Sequence, residues 1–360
     1  MTGRPLRICL IASSRFPIRE PFAGGLEALI FHLARLLVRR GHDVSIFAAP
    51  GSEPGLLVTE LPLDAFRPSP GARSDVGATP EQWIAEHHAY LHLMLDLQAT
   101  GAGRFDLVHN NSLHYLPVAM AWSLGLPTVT TLHTPPIAWL ESAVLLDGGR
   151  STFTAVSSYT SSAWAHAVDS LPIHNGVDTD LWVPGPGGDG AVWSGRVVAE
   201  KAPHLAIEAA RLTGMPLVLA GAAHDPAYFE TEIRPRLGGG IEYAGHLTQR
   251  ELVALLGSAG VAVVTPAWDE PYGLVAAEAM SCGTPVAAFR RGALPEIVSA
   301  RAGRLARAGD VADLGRAMVE AAELDRDGVR DVALANFTLE RMVDDYERVY
   351  AGLAPEDVAA

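Results

Sequence analysis

Two α/β domains in tandem, each organised around a parallel sheet, are the fold that this sequence predicts. Three observations carry the prediction. The chain of 360 residues is longer than one hydrophobic core normally serves. Short apolar strand patterns alternate along it with stretches of helical periodicity, as in successive strand, helix, strand units. The alternation breaks once, at Gly-Pro-Gly-Gly-Asp-Gly (residues 185–190), a stretch that holds neither helix nor strand, and it restarts immediately afterwards. That break places one domain at residues 1–184 and a second at 185–338, with 339–360 forming a C-terminal helix that crosses back to the first domain.

The first strand falls at residues 7–14. A loop holding Pro17, Pro21, Gly24 and Gly25 leads into Leu26, Leu29, Ile30, Leu33, Leu36 and Leu37, whose spacing is helical, and Gly41 ends that helix. Residues 43–49 read as a buried strand, completing a unit that favours a parallel sheet. Further strands fall at 106–111, 128–133 and 152–157, with helical stretches at 80–97 and 115–124 among them. In the second half the strands are expected at 191–197, 217–221, 241–245, 261–266 and 285–289, and the last helix at 339–350. Open parallel sheets bind ligands beyond the carboxyl ends of their strands, so two facing sheets make one cleft from the loops of both. Residues 50–80, rich in Pro, Gly and Ser, are expected to form a mobile loop facing that cleft or solvent.

Composition excludes several classes. Apolar residues make up 49% of the chain and charged ones 19%, the mean hydropathy is +0.17, and no apolar run approaches the roughly 20 residues of a membrane-spanning helix. With 27 Lys+Arg against 41 Asp+Glu the net charge is −14, which repels a phosphate backbone, so nucleic acid is not an expected partner. Cys9 and Cys282 are too few for a disulfide scaffold or a thiolate metal site. The apolar run at 4–12 is too short for a signal peptide and lacks a cleavage site, which points to the cytoplasm.

The segment 269–280, Asp-Glu-Pro-Tyr-Gly-Leu-Val-Ala-Ala-Glu-Ala-Met, is the most informative. Glu270 lies in a loop after a strand and Glu278 about two turns into the following helix. Gly273 allows close backbone approach, and the amides of 273–275 at a helix start can donate to a phosphate. An exposed helix carboxylate is the bland alternative for Glu278, but its neighbours Val275, Ala276, Ala277, Ala279 and Met280 are apolar or small, and a charge in such a run needs a partner. Arg196 closes a second cluster, Ser194-Gly195-Arg196, and with Lys201 five residues later it can neutralise a diphosphate. Residues 24–27, Gly-Gly-Leu-Glu, form a third possible anion cradle at a helix start. His133 sits at a strand end before the Pro-stiffened Thr134-Pro135-Pro136. Asp178 and Asp180 read as a turn capping a short helix rather than as a metal pair. His88 and His92, with His87 beside them, share a helix face, but no third ligand is evident, so zinc there is a minor reading. No metal site is predicted.

Taken together, residues 24–27, 106–109 (Asp-Leu-Val-His), His133, 156–159 (Val-Ser-Ser-Tyr), 175–178 (Asn-Gly-Val-Asp), Gly195-Arg196 with Lys201, and Glu270 with Glu278 resemble the retaining family 4 glycosyltransferases of the GT-B fold. The resemblance implies two Rossmann-like domains facing across a deep interdomain cleft, the first handling the acceptor and the second a nucleotide-sugar donor. It implies that Arg196 and Lys201 hold the diphosphate, Glu278 the ribose, and Glu270 with the backbone of Tyr272, Gly273 and Leu274 the sugar and phosphate. Gly25 then contacts the diphosphate from the other domain, His133 approaches the reacting carbon of the sugar, and His246 and Leu247 flank the base. The catalytic assignment on this reading is His133 and Glu270. One departure stands out: Asn110-Asn111 follow His109 where relatives often place another His.

What the resemblance implies is a metal-independent, retaining hexosyltransferase without a cofactor. It moves a sugar from a nucleotide diphosphate sugar, by family frequency UDP-glucose, to a hydroxyl acceptor such as a small natural product or a glycan. A nucleotide-sugar epimerase of the same fold and a non-catalytic nucleotide-sugar-binding protein are the alternatives. A nicotinamide dehydrogenase is disfavoured because neither first turn carries a spaced Gly-x-Gly-x-x-Gly. The lack of a basic amphipathic patch near the N-terminus argues weakly against a membrane acceptor, while Arg15, Arg19 and the arginines at 35–40 leave membrane association open.

Overall fold

The computed structural model describes residues 4–77 and 79–353. Its first sheet contains seven strands: β1 (Arg7–Ile11), β2 (Asp43–Ala48), β3 (Val58–Glu60), β4 (Leu107–Asn110), β5 (Thr128–Leu132), β6 (Thr152–Ala155) and β7 (Leu171–Pro172). All pair in parallel, in the order β3-β2-β1-β4-β5-β6-β7. The second has six, β8 (Ala191–Ser194), β9 (Leu217–Ala220), β10 (Ile241–Gly245), β11 (Val261–Val264), β12 (Val286–Phe289) and β13 (Gly303–Ala306), parallel in the order β10-β9-β8-β11-β12-β13. In each sheet the strand order reverses beside the first strand, between β1 and β4 and between β8 and β11. Ligands of open α/β sheets sit at such a reversal.

Strand alternation explains how each sheet is covered on both faces. In β1, Ile8 and Leu10 pack against Leu29, Leu33 and Leu37 of the helix Gly25–Arg39, whereas Cys9 and Ile11 face Leu93, Met94 and Leu97 of the helix Glu81–Arg104. The last helix, Leu339–Leu353, lays Met342, Val343, Tyr346 and Tyr350 into the core of the first sheet. Arg40 bridges Asp344 at 2.5 Å and Glu347 at 2.7 Å, and the Tyr350 hydroxyl meets His109 Nδ1 at 2.7 Å. The C-terminal helix is therefore tied to the first sheet by packing, charge and a buried hydrogen bond. The tail beyond 353 lies outside the described residues.

A second set of contacts braces the two sheets' domains on the side of the helix Ser158–Trp164. The amides of Ser158 and Tyr159 each donate to the Glu296 carboxylate at 3.0 Å, and His174 lies 3.3 Å from it. Burial opposes ionisation of Glu296, but these hydrogen bonds outweigh it and hold the carboxyl at about 2. The Tyr272 hydroxyl donates to the Asn175 carbonyl at 2.6 Å, and the Ser157 hydroxyl to the Pro271 carbonyl at 2.5 Å.

The structure adds β7 and β13, which the sequence reading lacks, and departs from it in three further places. Residues 50–80 are not one loop: Val58–Glu60 adds β3 to the sheet edge and Pro70–Arg73 forms a short helix capped by Ser69. Edge pairing uses backbone groups, so it left no apolar pattern to read. The expected helix at 115–124 is two short pieces, Leu116–Ala119 and the 3₁₀ turn Ala121–Ser123. The Asp178 carboxylate accepts the amides of Asp180 at 3.2 Å and Leu181 at 3.3 Å and closes a turn, but no helix follows it.

Candidate functional site

A cleft of about 720 Å³ opens between the two sheets. One wall carries Gly25 and His133; the other carries Arg196, Lys201, His246, Leu247, Glu270, Tyr272, Gly273, Leu274 and Glu278. All eleven residues singled out from the sequence thus share one cavity. The topology explains why: Ser13 and Arg15 follow β1, His133 follows β5, Ser194 to Arg196 end β8, and Thr265 to Glu270 follow β11.

Two helix N-termini oppose each other across the cleft. The helix Gly25–Arg39 begins after Gly24 and the helix Leu274–Ser281 after Gly273, and neither has a side-chain cap. Apart from the Glu27 amide, which meets its own carboxyl, their leading amides and helix dipoles are free of side chains, an arrangement that suits an anion. The approach is close, since a Cβ on Gly25 would stand 3.3 Å from Leu274 Cδ2. Gly273 has φ +97°, and a Cβ there would fall 2.7 Å from Leu294 Cδ2, so only glycine fits.

Both cations at this seat are held by carboxylates. Lys201 Nζ lies 2.5 Å from Glu270 Oε2 and 5.2 Å from the centre of the Trp268 ring, whose Nε1 donates to the same carboxylate at 3.2 Å. Arg196 pairs with Glu200 at 2.8 Å. Of the 27 basic residues, 26 are arginines; Lys201 is the one lysine of the chain. Here a compact ammonium sits between a carboxylate and an indole face, and a larger planar guanidinium is not interchangeable with it. That count is a signal that the sequence itself carries.

The backbone around Lys201 is also held. Ala202 adopts φ +46°, ψ +51°, a left-handed conformation rare for alanine. The Thr265 hydroxyl, shared between the carbonyls of Lys201 and Ala202 at 3.0 Å each, pins this turn, and it accepts the Trp193 indole N–H at 2.9 Å. Thr265, Trp193 and Trp268 are supporting residues that sequence reasoning missed.

Two carboxyls in the cleft are raised by burial. Glu278, 7% exposed, makes no hydrogen bond or ion pair among the described residues, and burial pushes it up to about 8. Glu27, in the first turn of its helix, is also raised by burial, against the opposing charges of Arg196 and Arg15. His133 is kept neutral, with burial pushing it down to about 3, and its Nε2 lies 3.0 Å from Asn111 Oδ1. His246 Nε2 donates to the Phe22 carbonyl at 2.9 Å, joining the two walls, and the Tyr272 side chain is committed to Asn175, so only its backbone faces a ligand. His88 stacks on Phe66, and no group of three His, Cys, Asp or Glu among the described residues is placed to hold a metal.

Two family models match the chain in tandem, on either side of this cleft: glycosyltransferase family 4 over residues 23–181 and glycosyl transferases group 1 over residues 190–330. The chain belongs to the family 4 glycosyltransferases of the GT-B fold. This glycosyltransferase is 27% identical to the D-inositol 3-phosphate glycosyltransferase of Mycolicibacterium paratuberculosis over 350 residues, covering 82% of this chain and 77% of that protein. Among solved structures it resembles Anabaena Alr3699/HepE, crystallised with UDP and glucose, with a TM-score of 0.76 at 16% identity over 97% of this chain and 100% of the other. AviGT4, a glycosyltransferase involved in avilamycin A biosynthesis, matches with a TM-score of 0.70 at 24% identity, over 97% and 98% of the two chains. No helix among the described residues is long and apolar enough to cross a membrane.

Proposed function

We propose that this glycosyltransferase moves a hexose from a UDP-sugar, of the UDP-glucose type, to a hydroxyl acceptor with retention of configuration. The observation that carries the reading is the pair of uncapped helix N-termini facing each other between Arg196 and Lys201, a seat for a diphosphate built from both domains. On this reading the diphosphate draws Arg196 from Glu200 and shares Lys201 with Glu270. Glu278 accepts the ribose hydroxyls, the amides of 272–274 and Glu270 hold the sugar and phosphate, and His246 and Leu247 flank the base. Gly25 brings the amide of the opposing helix to the diphosphate, and His133 stands at the sugar.

The chemistry follows from that placement. The bond from the anomeric carbon to the diphosphate oxygen breaks as the acceptor oxygen bonds to the same face of that carbon. The acceptor proton passes to the departing phosphate oxygen, and the two cations with the helix amides stabilise the negative charge that develops there. Those charges do the neutralising that a metal would otherwise supply, so turnover in chelator is part of the proposal. Support for UDP comes from Anabaena Alr3699/HepE, crystallised with UDP and with UDP-glucose. The first-domain wall, with Leu113, Pro135, Pro136 and Ile137, offers an apolar bed, and Arg15 is its one cation among the described residues. We therefore place a natural product or glycan hydroxyl there.

Isothermal titration in chelator with nucleoside diphosphates and their sugar conjugates tests the reading, alongside Glu278→Ala, Arg196→Ala and His133→Ala. Tight binding of one uridine conjugate, weakened in the first two variants and retained with lower turnover in the third, is the expected result. Equal affinity and turnover across all three overturn the site. Transfer is separated from epimerisation by the products: free UDP with glycosylated acceptor, against an intact UDP-sugar of inverted configuration.

A further inference from the structure

The two ring nitrogens of His133 are not equivalent in this structure. Nε2 lies 3.0 Å from Asn111 Oδ1. The Asn111 side chain is itself oriented, because its Nδ2 donates to the His109 carbonyl at 3.4 Å and so turns the amide oxygen toward His133. That carbonyl belongs to β4, paired on both sides with β1 and β5, and is not free to swing. An amide oxygen only accepts, so Nε2 carries the proton. Nδ1 has no hydrogen bond among the described residues, and His133 lines the cleft while Asn111, 1% exposed, lies behind it. Burial keeps the ring neutral.

We infer that Asn111 is a positioning residue for sugar transfer: it holds His133 in the Nε2–H tautomer, so that Nδ1 offers a lone pair to a hydroxyl in the cleft. The inference rests on the reading of His133 as a residue at the donor sugar. An amide side chain neither titrates nor changes tautomer, so it can fix the tautomer of its neighbour.

The test uses the full chain with ¹⁵N-labelled histidine, in which ring nitrogens with and without a proton have well-separated shifts. His133 is assigned by difference from His133→Gln. The wild-type protein at pH 7 is expected to show a protonated Nε2 and an unprotonated Nδ1. Asn111→Leu, near-isosteric and apolar, is expected to lose that fixed pattern. Its kcat for UDP-glucose hydrolysis should fall at least about tenfold with KM for UDP-glucose nearly unchanged, in the roughly 10–100-fold range seen for the outer partners of metal-bound histidines. Asn111→Asp, whose carboxylate accepts the same proton, should restore the Nε2–H pattern and part of the lost kcat. A wild-type ring protonated at Nδ1, or an Asn111→Leu protein with tautomer and kcat unchanged, overturns the inference, and the first result does not depend on the Asn111 variants folding. Should His133→Gln retain full kcat while the tautomer follows Asn111 as stated, it is the placement of His133 at the sugar that fails, and the role of Asn111 in transfer fails with it.

Discussion

Replacing Glu278 by glutamine keeps the shape of the side chain and removes its titration, and the consequence for stability has a definite sign. Burial raises the carboxyl from an ordinary 4.5 to about 8. Between those values the folded chain holds a proton that the unfolded chain has released, so wild-type stability falls as pH rises from about 4.5 to about 8 and levels off above. At 1.36 kcal/mol per pH unit the full interval is worth about 5 kcal/mol, and the part below pH 7 about 3 kcal/mol. Glutamine has no such slope. Glu278→Gln should therefore gain on the wild type progressively across this window and be the more stable protein at pH 8.5. Urea unfolding followed by tryptophan fluorescence at pH 5, 7 and 8.5 measures the difference, provided the m-values agree. Parallel pH profiles for the two proteins, or a variant less stable at pH 8.5, would refute the reasoning.

The same carboxyl couples ligand binding to a proton. If ribose hydroxyls donate to the ionised form, UDP binding must expel the proton that free Glu278 carries. The ionised fraction of the free protein rises from about one-eleventh at pH 7 to about ten-elevenths at pH 9, so UDP affinity should climb about tenfold over that range. Titration in buffers of different ionisation enthalpy should show close to one proton released per UDP at pH 7, and none from Glu278→Gln, which should also bind more weakly at pH 9. Binding at pH 7 without proton release would mean that Glu278 stays protonated in the complex and donates rather than accepts.

Three further substitutions probe the supporting structure. Lys201→Arg should weaken UDP binding by at least about tenfold, about 1.4 kcal/mol by titration calorimetry, because the larger, planar guanidinium does not reproduce the compact ammonium's placement between Glu270 and the Trp268 face. Thr265→Val leaves the buried Trp193 indole N–H without its acceptor and should cost about 1–3 kcal/mol in urea unfolding. Gly221→Ala would put a Cβ 1.8 Å from the Gly195 carbonyl oxygen at φ +142°, and should cost more than about 4 kcal/mol, seen as loss of soluble expression.

What could be read from the sequence was what is local. The Glu270 to Glu278 spacing is a loop and two helical turns, the His133 position is a strand end before two prolines, and the paired glycines at 24 and 25 open a helix. In each case neighbours along the chain create the exposure or the free amide. The supporting contacts are of another kind. Thr265 reaches back to Lys201 and Trp193, Asn111 meets His133 from the adjacent strand, and Glu296 caps a helix start more than a hundred residues earlier. Each is a single polar atom meeting another across the fold, with no periodicity to announce it.

The register of the sheets decides which of these distant atoms meet. β4 lies beside β5 with His109 opposite Val129 and Asn110 opposite Thr130, a register that, continued, sets Asn111 opposite Thr131 and on the same face as His133 two residues further on. A slip of one residue would exchange the faces of that strand, carry Asn111 away from His133 and turn His109, whose ring nitrogens are bound to Tyr350 and Thr131, to the opposite face of the sheet. The hydrogen bond that fixes the tautomer at the cleft and the one that anchors the C-terminal helix are therefore set by the same strand. A substitution that loosens β4 should disturb both, and the two effects should appear together in the histidine ¹⁵N spectrum before any change in the second-domain wall of the cleft.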